Sequence, residues 1–272
     1  MRVAVTGASG LIGSHLVGEL ERRGAKVVRL GRPTFALDGQ TPPALPSNLN
    51  ALVHCAYDFN AIGPSEVERI NVAGSLRLLD AAVAAGVERL VFVSSIAAFD
   101  GCRSIYGRGK LKVEEAFRRA GGVVIRPGLI HGDPAGRGMI GALTNAVRLP
   151  LVPVFGNGSQ TFYLAHVGDV ARLLADATGD DYPWGCCTVV AANSSPWTFR
   201  ELLRELARRS NKGKLIMLPV PVGLGVPLLR VAEGIGLRLP FRSDSLVSMV
   251  HYDPSPAFRP DVNTEERFRS FR

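Results

Sequence analysis

The sequence is poor in cysteine, and its cysteines do not have the spacing of metal ligands. There are four among 272 residues: Cys55, Cys102, Cys186 and Cys187. A disulfide framework or a zinc site requires cysteines at repeated short spacings, which this chain does not offer. We therefore expect free, reduced thiols, as in a cytoplasmic protein.

The sequence also lacks the features of a secreted or membrane-spanning chain. A strand-like run, Arg2–Thr6, opens the chain with no signal segment before it, so we expect the protein not to be secreted. The segment Leu215–Leu229 has fifteen residues without a charge, but it is too short for a membrane span and contains three prolines. We expect it to form the core of a substrate domain. The alternative is a surface that meets a lipid-linked substrate.

The chain is basic overall but has few basic clusters. Its net charge is +8 and its pI is near 9.7, values that also occur in proteins that bind nucleic acids or membranes. Outside the tail, which holds Arg259, Arg267, Arg269 and Arg272, the arginines are scattered, and no basic block is interleaved with aromatic residues. Nucleic-acid binding is therefore disfavoured. Binding of an anionic cofactor and a small-molecule substrate would explain the positive net charge. The sequence is also compatible with a homodimer.

Short β-branched runs alternate with helical patterns, which predicts βα units and a parallel sheet. The predicted strands are Arg2–Thr6, Lys26–Leu30, Ala51–His54, Leu90–Val93, Val123–Arg126 and Cys187–Ala191. Because these runs are continuously apolar, helices should cover both faces. The expected fold class is α/β, a doubly wound parallel sheet of the Rossmann type. We expect it to span residues 1–193, with 135–165 contributing to the substrate pocket, and a small substrate-binding domain to span 194–272.

Three segments give more local expectations. Pro33–Asn50 holds four prolines and has no helical period, so it should be a loop. Ser194–Arg209 should be a capped helix with Pro196 near its first turn. Asp169 is expected to cap a helix over Val170–Ala177.

A glycine motif follows the first strand and opens the first helix, the context in which such a motif binds a dinucleotide. Gly7 permits a tight turn, Gly10 lets the backbone approach a pyrophosphate, and Gly13 allows close helix–strand packing. The alternative is an ordinary glycine-rich turn. The motif residues expected to bind the cofactor are Gly7, Ser9, Gly10, Leu11, Ile12 and Gly13.

The end of the second strand favours NADP, with NAD as the alternative. An acidic residue there would bind the ribose 2′-hydroxyl, whereas a basic one would accept a 2′-phosphate. Gly31 stands where the acid would be, and Arg32 follows it. A planar guanidinium suits a phosphate, although Arg32 is also open to interpretation as a plain surface residue.

Tyr106 and Lys110 lie four positions apart, on one face of a predicted helix. A free phenol titrates near 10, and a nearby ammonium would lower that pKa toward the range of a proton relay at neutral pH. A Tyr-x-x-x-Lys match is common by chance, so Tyr106 is also open to interpretation as an interface aromatic.

Together these motifs resemble those of the extended short-chain dehydrogenases/reductases of the NAD-dependent epimerase/dehydratase family. Further matches are Val53–Ala56, Asn71–Ser75, Val91–Ser95, Arg126–Gly128 and His166–Ala171. The resemblance implies that Ser95 bonds the substrate oxygen, Tyr106 exchanges a proton with it, and Lys110 binds the nicotinamide ribose and lowers the Tyr106 pKa. It also implies that the cofactor groove is lined by Cys55, Ala56, Asn71, Ser94 and Pro127. Ser94 is the alternative to Ser95 as the active hydroxyl, and His54 and His166 are expected to be structural.

The chain departs from the family pattern in three places. Ser95 and Tyr106 are only eleven residues apart, so the loop over the site should be short. Phe162 stands near the expected place of a diphosphate-binding arginine, and Arg137 is the candidate to replace that charge in the substrate site. The residues after Ser95 include no Asp-Glu pair, which disfavours dehydration.

The function these observations predict is hydride transfer at a carbonyl or secondary alcohol of a sugar-like substrate, with a nucleotide sugar as one form of it. The enzyme would be an NADP- or NAD-dependent reductase or epimerase with Tyr106 as acid and base. The rival hypothesis is a non-catalytic protein of the same fold that keeps the cofactor as a sensor or assembly subunit.

Overall fold

The computed structural model describes residues 1–179, 182, 187–235 and 242–271. Cys186 and Arg272 therefore lie outside the described residues. The strands are β1 (Arg2–Thr6), β2 (Lys26–Leu30), β3 (Ala51–His54), β4 (Arg89–Val93), β5 (Val123–Pro127), β6 (Leu129–His131), β7 (Leu151–Phe155), β8 (Thr161–His166), β9 (Thr188–Ala191), β10 (Pro196–Thr198) and β11 (Ile216–Val220). The α-helices are α1 (Leu11–Arg22), α2 (Pro64–Glu66), α3 (Ala73–Ala84), α4 (Ile105–Arg119), α5 (Gly138–Ala146), α6 (Val167–Asp176), α7 (Phe199–Arg209), α8 (Val222–Gly234) and α9 (Ser243–Val250), and a π-helical segment, Val67–Val72, joins α2 to α3.

Six strands form one parallel sheet in the order β2-β1-β3-β4-β5-β9. Leu16 and Leu20 of α1 pack on one face together with Leu173 of α6. Leu78 of α3 and Phe117 of α4 pack on the other face. The doubly wound α/β fold predicted from the apolar runs is confirmed.

The expected loop between the second and third strands is confirmed as well. No helix lies between β2 and β3 in this described stretch. Phe35 and Leu49 are buried against the sheet in place of a crossover helix, and the prolines between them cannot donate the N–H bonds that a helix needs.

The helix expected over Ser194–Arg209 begins later than predicted. Pro196 lies in β10, which pairs antiparallel with β8, and α7 starts only at Phe199. The N-cap is Thr198, whose side chain accepts from the Glu201 N–H while the Glu201 carboxylate accepts from the Thr198 N–H. Because of this capping box, Thr198 is the N-cap of the helix rather than Ser194 or Ser195.

The expectation that Asp169 caps a helix is wrong. His166 is the N-cap of α6, because its Nδ1 accepts from the Gly168 N–H at 3.1 Å. Asp169 is fully buried in the first turn and accepts from the backbone and guanidinium of Arg269 and from Arg172. The carboxylate therefore anchors the C-terminal tail to the Rossmann body.

The remaining elements build a third apolar cluster beside the sheet. β7 pairs with β11, and β8 lies between β6 and β10. Leu143 of α5, Leu164 of β8 and Leu202 of α7 share this cluster with Phe271. The division of the chain into domains at residue 193 remains a prediction.

The uncharged segment Leu215–Leu229 is only partly core, contrary to expectation. Leu229 is buried, whereas Ile216, Leu218, Leu224 and Leu228 are exposed. The reason is that β11 and α8 each have only one face against the third cluster.

Replacing Asp169 by alanine should lower the free energy of unfolding by about 2 kcal/mol or more, because a buried charge-assisted hydrogen-bond acceptor is lost. Glu115→Gln is the matched control, since Glu115 pairs with arginines at the surface and should cost less than about 1 kcal/mol. Urea unfolding followed by circular dichroism measures both. Equal effects of the two substitutions would contradict the anchoring role of Asp169.

Candidate active site

The turn between β1 and α1 depends on two glycines. Gly7 has φ +63°, and a Cβ there would lie 2.9 Å from the Ala56 backbone. At Gly13 a Cβ would lie 2.1 Å from the Gly7 carbonyl oxygen. Any side chain at either position would force the helix away from the strand.

The N-terminus of α1 suits an anion. Its N-cap is Gly10, with no side-chain hydrogen bond at the cap and no acidic residue in the first turn. Backbone N–H groups and the positive end of the helix dipole therefore face the cavity, as binding of a phosphate requires. The residues present fit the pyrophosphate of a dinucleotide.

One cavity of about 1060 Å³ runs from this turn across the ends of the parallel strands. It brings together most of the residues proposed from the sequence. Those lining it are Gly7, Ser9, Gly10, Leu11, Ile12, Gly13, Arg32, Cys55, Ala56, Ser94, Ser95, Tyr106, Lys110, Pro127 and Phe162.

Two of the proposed residues are not among those that line the cavity. Asn71 is buried, and its side chain exchanges hydrogen bonds with the Asp58 backbone N–H and C=O. Arg137 is held by Asp133 and donates to the Ser9 carbonyl. Both residues support the loops around the cavity, and the structure does not place either one against the substrate region.

Helix α4 carries Tyr106 and lies unusually close to the loop after β4. A Cβ at Gly107 would lie 2.4 Å from the Ala97 carbonyl oxygen. The Ser104 hydroxyl caps the helix by accepting from the Gly107 N–H. This close approach lets the short link between Ser95 and Tyr106 bring both side chains into the same cavity, where the Ser95 hydroxyl is near enough to lower the Tyr106 pKa.

Ser94 and Ser95 have different partners, which separates the two candidate hydroxyls. The Ser94 hydroxyl donates to Glu114 at 2.5 Å. Glu114 is fully buried and receives two hydrogen bonds from Arg126. The Ser94 hydroxyl is therefore bonded within a buried network, and Ser95 is the serine that lies near the Tyr106 hydroxyl.

Lys110 lies one turn after Tyr106, as its spacing predicts, and is buried. Its ammonium donates to the Val93 carbonyl oxygen at 2.8 Å. The nitrogen lies 5.0 Å from the centroid of the Tyr57 ring and 5.9 Å from that of Tyr106. Burial lowers the pKa of Lys110 to about 8.

The expected lowering of the Tyr106 pKa does not occur in this structure. Burial raises the pKa of Tyr106 to about 12, and the hydrogen bond with Ser95 only partly offsets that effect. The phenol is therefore protonated at neutral pH in this structure.

Arg32 and Asp38, which line the cavity beyond the end of β2, form an exposed pair. Arg32 Nη2 lies 2.7 and 2.8 Å from the two oxygens of Asp38. The guanidinium lowers the pKa of the Asp38 carboxyl. A cation is thus present in this part of the cavity wall, but it already has an anionic partner.

No sequence pattern pointed to Asp244, yet the fold brings it to the first turn of α4, the helix that carries Tyr106. Its carboxylate accepts from the backbone N–H groups of Ile105 and Tyr106 at 2.8 and 3.0 Å. Tyr57 and Phe59 were also missed, and their rings pack on Tyr106 with centroids 4.9 and 6.1 Å away. No local spacing links these residues to the Tyr-x-x-x-Lys motif.

His54 and Cys55, at the end of β3, are both uncharged at neutral pH because burial shifts each pKa. His54 is enclosed between Thr6 and Ser75, and burial lowers its pKa to about 3. Burial raises the pKa of the Cys55 thiol to about 12. In the part of the chain that the structure describes, no cluster of His, Cys, Asp and Glu is arranged to hold a metal ion, and no helix is long and apolar enough to cross a membrane.

The chain is similar in sequence to enzymes of two kinds. It is 31% identical over 238 residues to a ceramide reductase of Caulobacter vibrioides, covering 80% of this chain and 74% of the relative. It is 29% identical over 258 residues to a UDP-glucose 4-epimerase of Azospirillum brasilense, covering 79% of this chain and 71% of the relative.

The fold matches the solved structure of another UDP-glucose 4-epimerase. The UDP-glucose 4-epimerase of Thermus thermophilus, solved as a complex with NAD, superposes with a TM-score of 0.63 at 23% identity, covering 92% of this chain and 98% of that one. The model of the NAD-dependent epimerase/dehydratase family matches residues 3–179. With its glycine turn, parallel sheet and Ser95–Tyr106 contact in one cavity, the chain belongs to the NAD-dependent epimerase/dehydratase family.

Proposed function

We propose that the protein is a reductase that transfers hydride between NADP and a carbonyl or secondary alcohol. The observation that carries the proposal is the contact between Ser95 and Tyr106 in the cavity that begins at the glycine turn. A bound nicotinamide supplies or accepts the hydride, and the protein orients and polarises the substrate oxygen.

The residues of this chain have separate roles in that reaction. Tyr106 holds its proton at neutral pH and donates it to the substrate oxygen during reduction. Ser95 hydrogen-bonds the same oxygen and keeps the Tyr106 hydroxyl aligned. Lys110 is a buried cation at neutral pH and stabilises the phenolate that remains after the proton has left. Asp244 holds the first turn of α4 and so fixes the position of Tyr106.

The preference for NADP rests on Arg32. Its side chain is 74% exposed, so it is free to turn from Asp38 toward a 2′-phosphate. A phosphate offers more acceptor oxygens and more charge than one carboxylate. Because Arg32 can instead stay paired with Asp38, the site can also bind NAD, which has no 2′-phosphate.

The second candidate function is epimerisation of a sugar-like substrate, which would be a nucleotide sugar. The relative and the structural neighbour named UDP-glucose 4-epimerase favour it. Phe162 lies in the cavity wall, and Arg137 is engaged by Asp133, so neither supplies a cation for a diphosphate there. Tightly held NAD in the purified protein would support epimerisation, and exchangeable NADPH would support reduction.

A non-catalytic role is the remaining rival. A sensor or assembly subunit needs the cofactor cavity but no aligned proton donor. The presence of Ser95, Tyr106 and Lys110 together in the cavity wall favours an enzyme over such a subunit.

Tyr106→Phe should reduce kcat by about 10² to 10⁴-fold, because the proton donor is removed, while the Kd for NADPH changes little. Tyr57→Phe is the matched control, since it removes a phenol from the same aromatic cluster and should cost less than about tenfold. The kcat of both variants is measured from the oxidation of NADPH in the presence of a panel of carbonyl compounds. The panel contains 2-dodecanone and the 4-keto form of a UDP-sugar. Wild-type turnover by a Tyr106→Phe protein that binds NADPH would contradict the proposal.

Arg32→Ala should weaken NADP binding by about 10- to 100-fold, the range expected for a lost hydrogen bond to a charged group. NAD binding should change by less than about threefold. Asp38→Ala should leave NADP binding equal or tighter, because it frees the guanidinium. Calorimetric titration of the wild type and both variants gives the Kd values, and equal losses for the two cofactors in Arg32→Ala would refute the assignment.

The rate of carbonyl reduction should fall as the pH rises through about 8. Lys110 has a pKa of about 8, so its charge is present below that pH and lost above it, whereas Tyr106 keeps its proton to about 12. The pH profile of kcat/KM reports groups of the free enzyme. A profile that stays flat from about pH 6 to 10 would show that the Lys110 charge is not required.

A further inference from the structure

Helix α8 exposes a stripe of apolar side chains. Leu224, Leu228, Val231 and the C-cap residue Ile235 are between 63% and 76% exposed. Their spacing of four, three and four residues places them on one helical face. The opposite face holds Leu229, which is buried in the third cluster. We call these four exposed residues the α8 stripe.

The two-stranded sheet before α8 exposes a second apolar surface. Leu151 of β7 is the cross-strand partner of Ile216, and Pro153 is the partner of Leu218. All four are exposed, whereas Val152 between them is buried. We call these four residues the β7–β11 face. Exposed apolar side chains grouped in this way mark a surface that binds protein or lipid.

The charges in these segments have one sign. Residues 148–156 and 212–232 contain no Asp or Glu. They contain the bases Arg148, Lys212, Lys214 and Arg230, of which all but Lys212 are exposed. Exposed apolar side chains in segments that carry bases and no acids are the pattern of a surface that lies in the headgroup region of an anionic bilayer.

The one acid of α8 is turned away from the stripe. Glu233 accepts from the backbone N–H and the hydroxyl of Ser243 at 2.7 and 2.6 Å, and it lines the cavity. The same helix therefore contributes to the cavity wall on one side and to the exposed apolar stripe on the other. A lipid surface under α8 would lie beside the cavity.

We propose that the α8 stripe and the β7–β11 face dock the protein on an anionic lipid bilayer. Leucine and valine side chains of the stripe enter the interface, and the bordering bases attract the anionic headgroups. A second copy of the chain fits this surface less well, because a two-fold contact would bring the same bases face to face. The proposal does not depend on the proposed function.

Flotation of the full chain with vesicles tests the proposal. The vesicles are pure phosphatidylcholine, or phosphatidylcholine with about 30% phosphatidylglycerol. The double variant Leu228→Ser/Val231→Ser should reduce partitioning onto the anionic vesicles by about tenfold or more, and Arg230→Glu should reduce it about tenfold. Val83→Ser is the matched control, because Val83 is an exposed apolar residue of α3 that should leave partitioning unchanged.

Circular dichroism and thermal unfolding of each variant establish that it is folded. The proposal holds if the wild type and Val83→Ser float with anionic vesicles, high salt weakens the binding, and the stripe variant remains at the bottom. It is overturned if the wild type floats with neither type of vesicle, or if the stripe variant floats as well as the wild type. The proposal is also overturned if the wild type is a dimer, the stripe variant is a monomer, and neither binds vesicles. That result would identify the surface as a contact with a second copy of the chain.

Discussion

The site depends on one close contact, the packing of α4 onto the loop after β4. Gly107 lies so near Ala97 that a Cβ would be 2.4 Å from a carbonyl oxygen. At this separation Ser95 and Tyr106, eleven positions apart, line the same cavity. The Ser104 cap and the Asp244 carboxylate hold the first turn of the helix in place. The shortened loop therefore preserves the serine–tyrosine pair.

Burial governs the electrostatics of the site. The same surroundings raise the pKa of Tyr106 to about 12 and lower that of Lys110 to about 8. Both shifts disfavour the charged forms, since little water remains to solvate them. The resting site thus favours a protonated phenol, and the buried cation gains its importance when the proton leaves.

The fold was largely predictable because six apolar runs that alternate with helical patterns define the parallel strands. The glycine turn and the Tyr106–Lys110 face were predictable because each depends on local spacing. The start of α7 after Thr198 was missed because a capping box competed with the serines before Pro196. The roles of Asp169 and Asp244 depend on partners about a hundred residues away or more, Arg269 and the first turn of α4. The burial that raises the Tyr106 pKa is likewise a property of the assembled cavity.

The central claim is that hydride passes from the cofactor to a carbonyl carbon in this cavity. The most direct measurement is a single turnover with NADPH deuterated at the transferring C4 position, followed by mass spectrometry of the alcohol. The account predicts an alcohol one mass unit heavier, with the label on the carbinol carbon, formed as NADPH is consumed. An unlabelled alcohol, or NADPH that binds and is never consumed with any carbonyl compound of the panel, would contradict it.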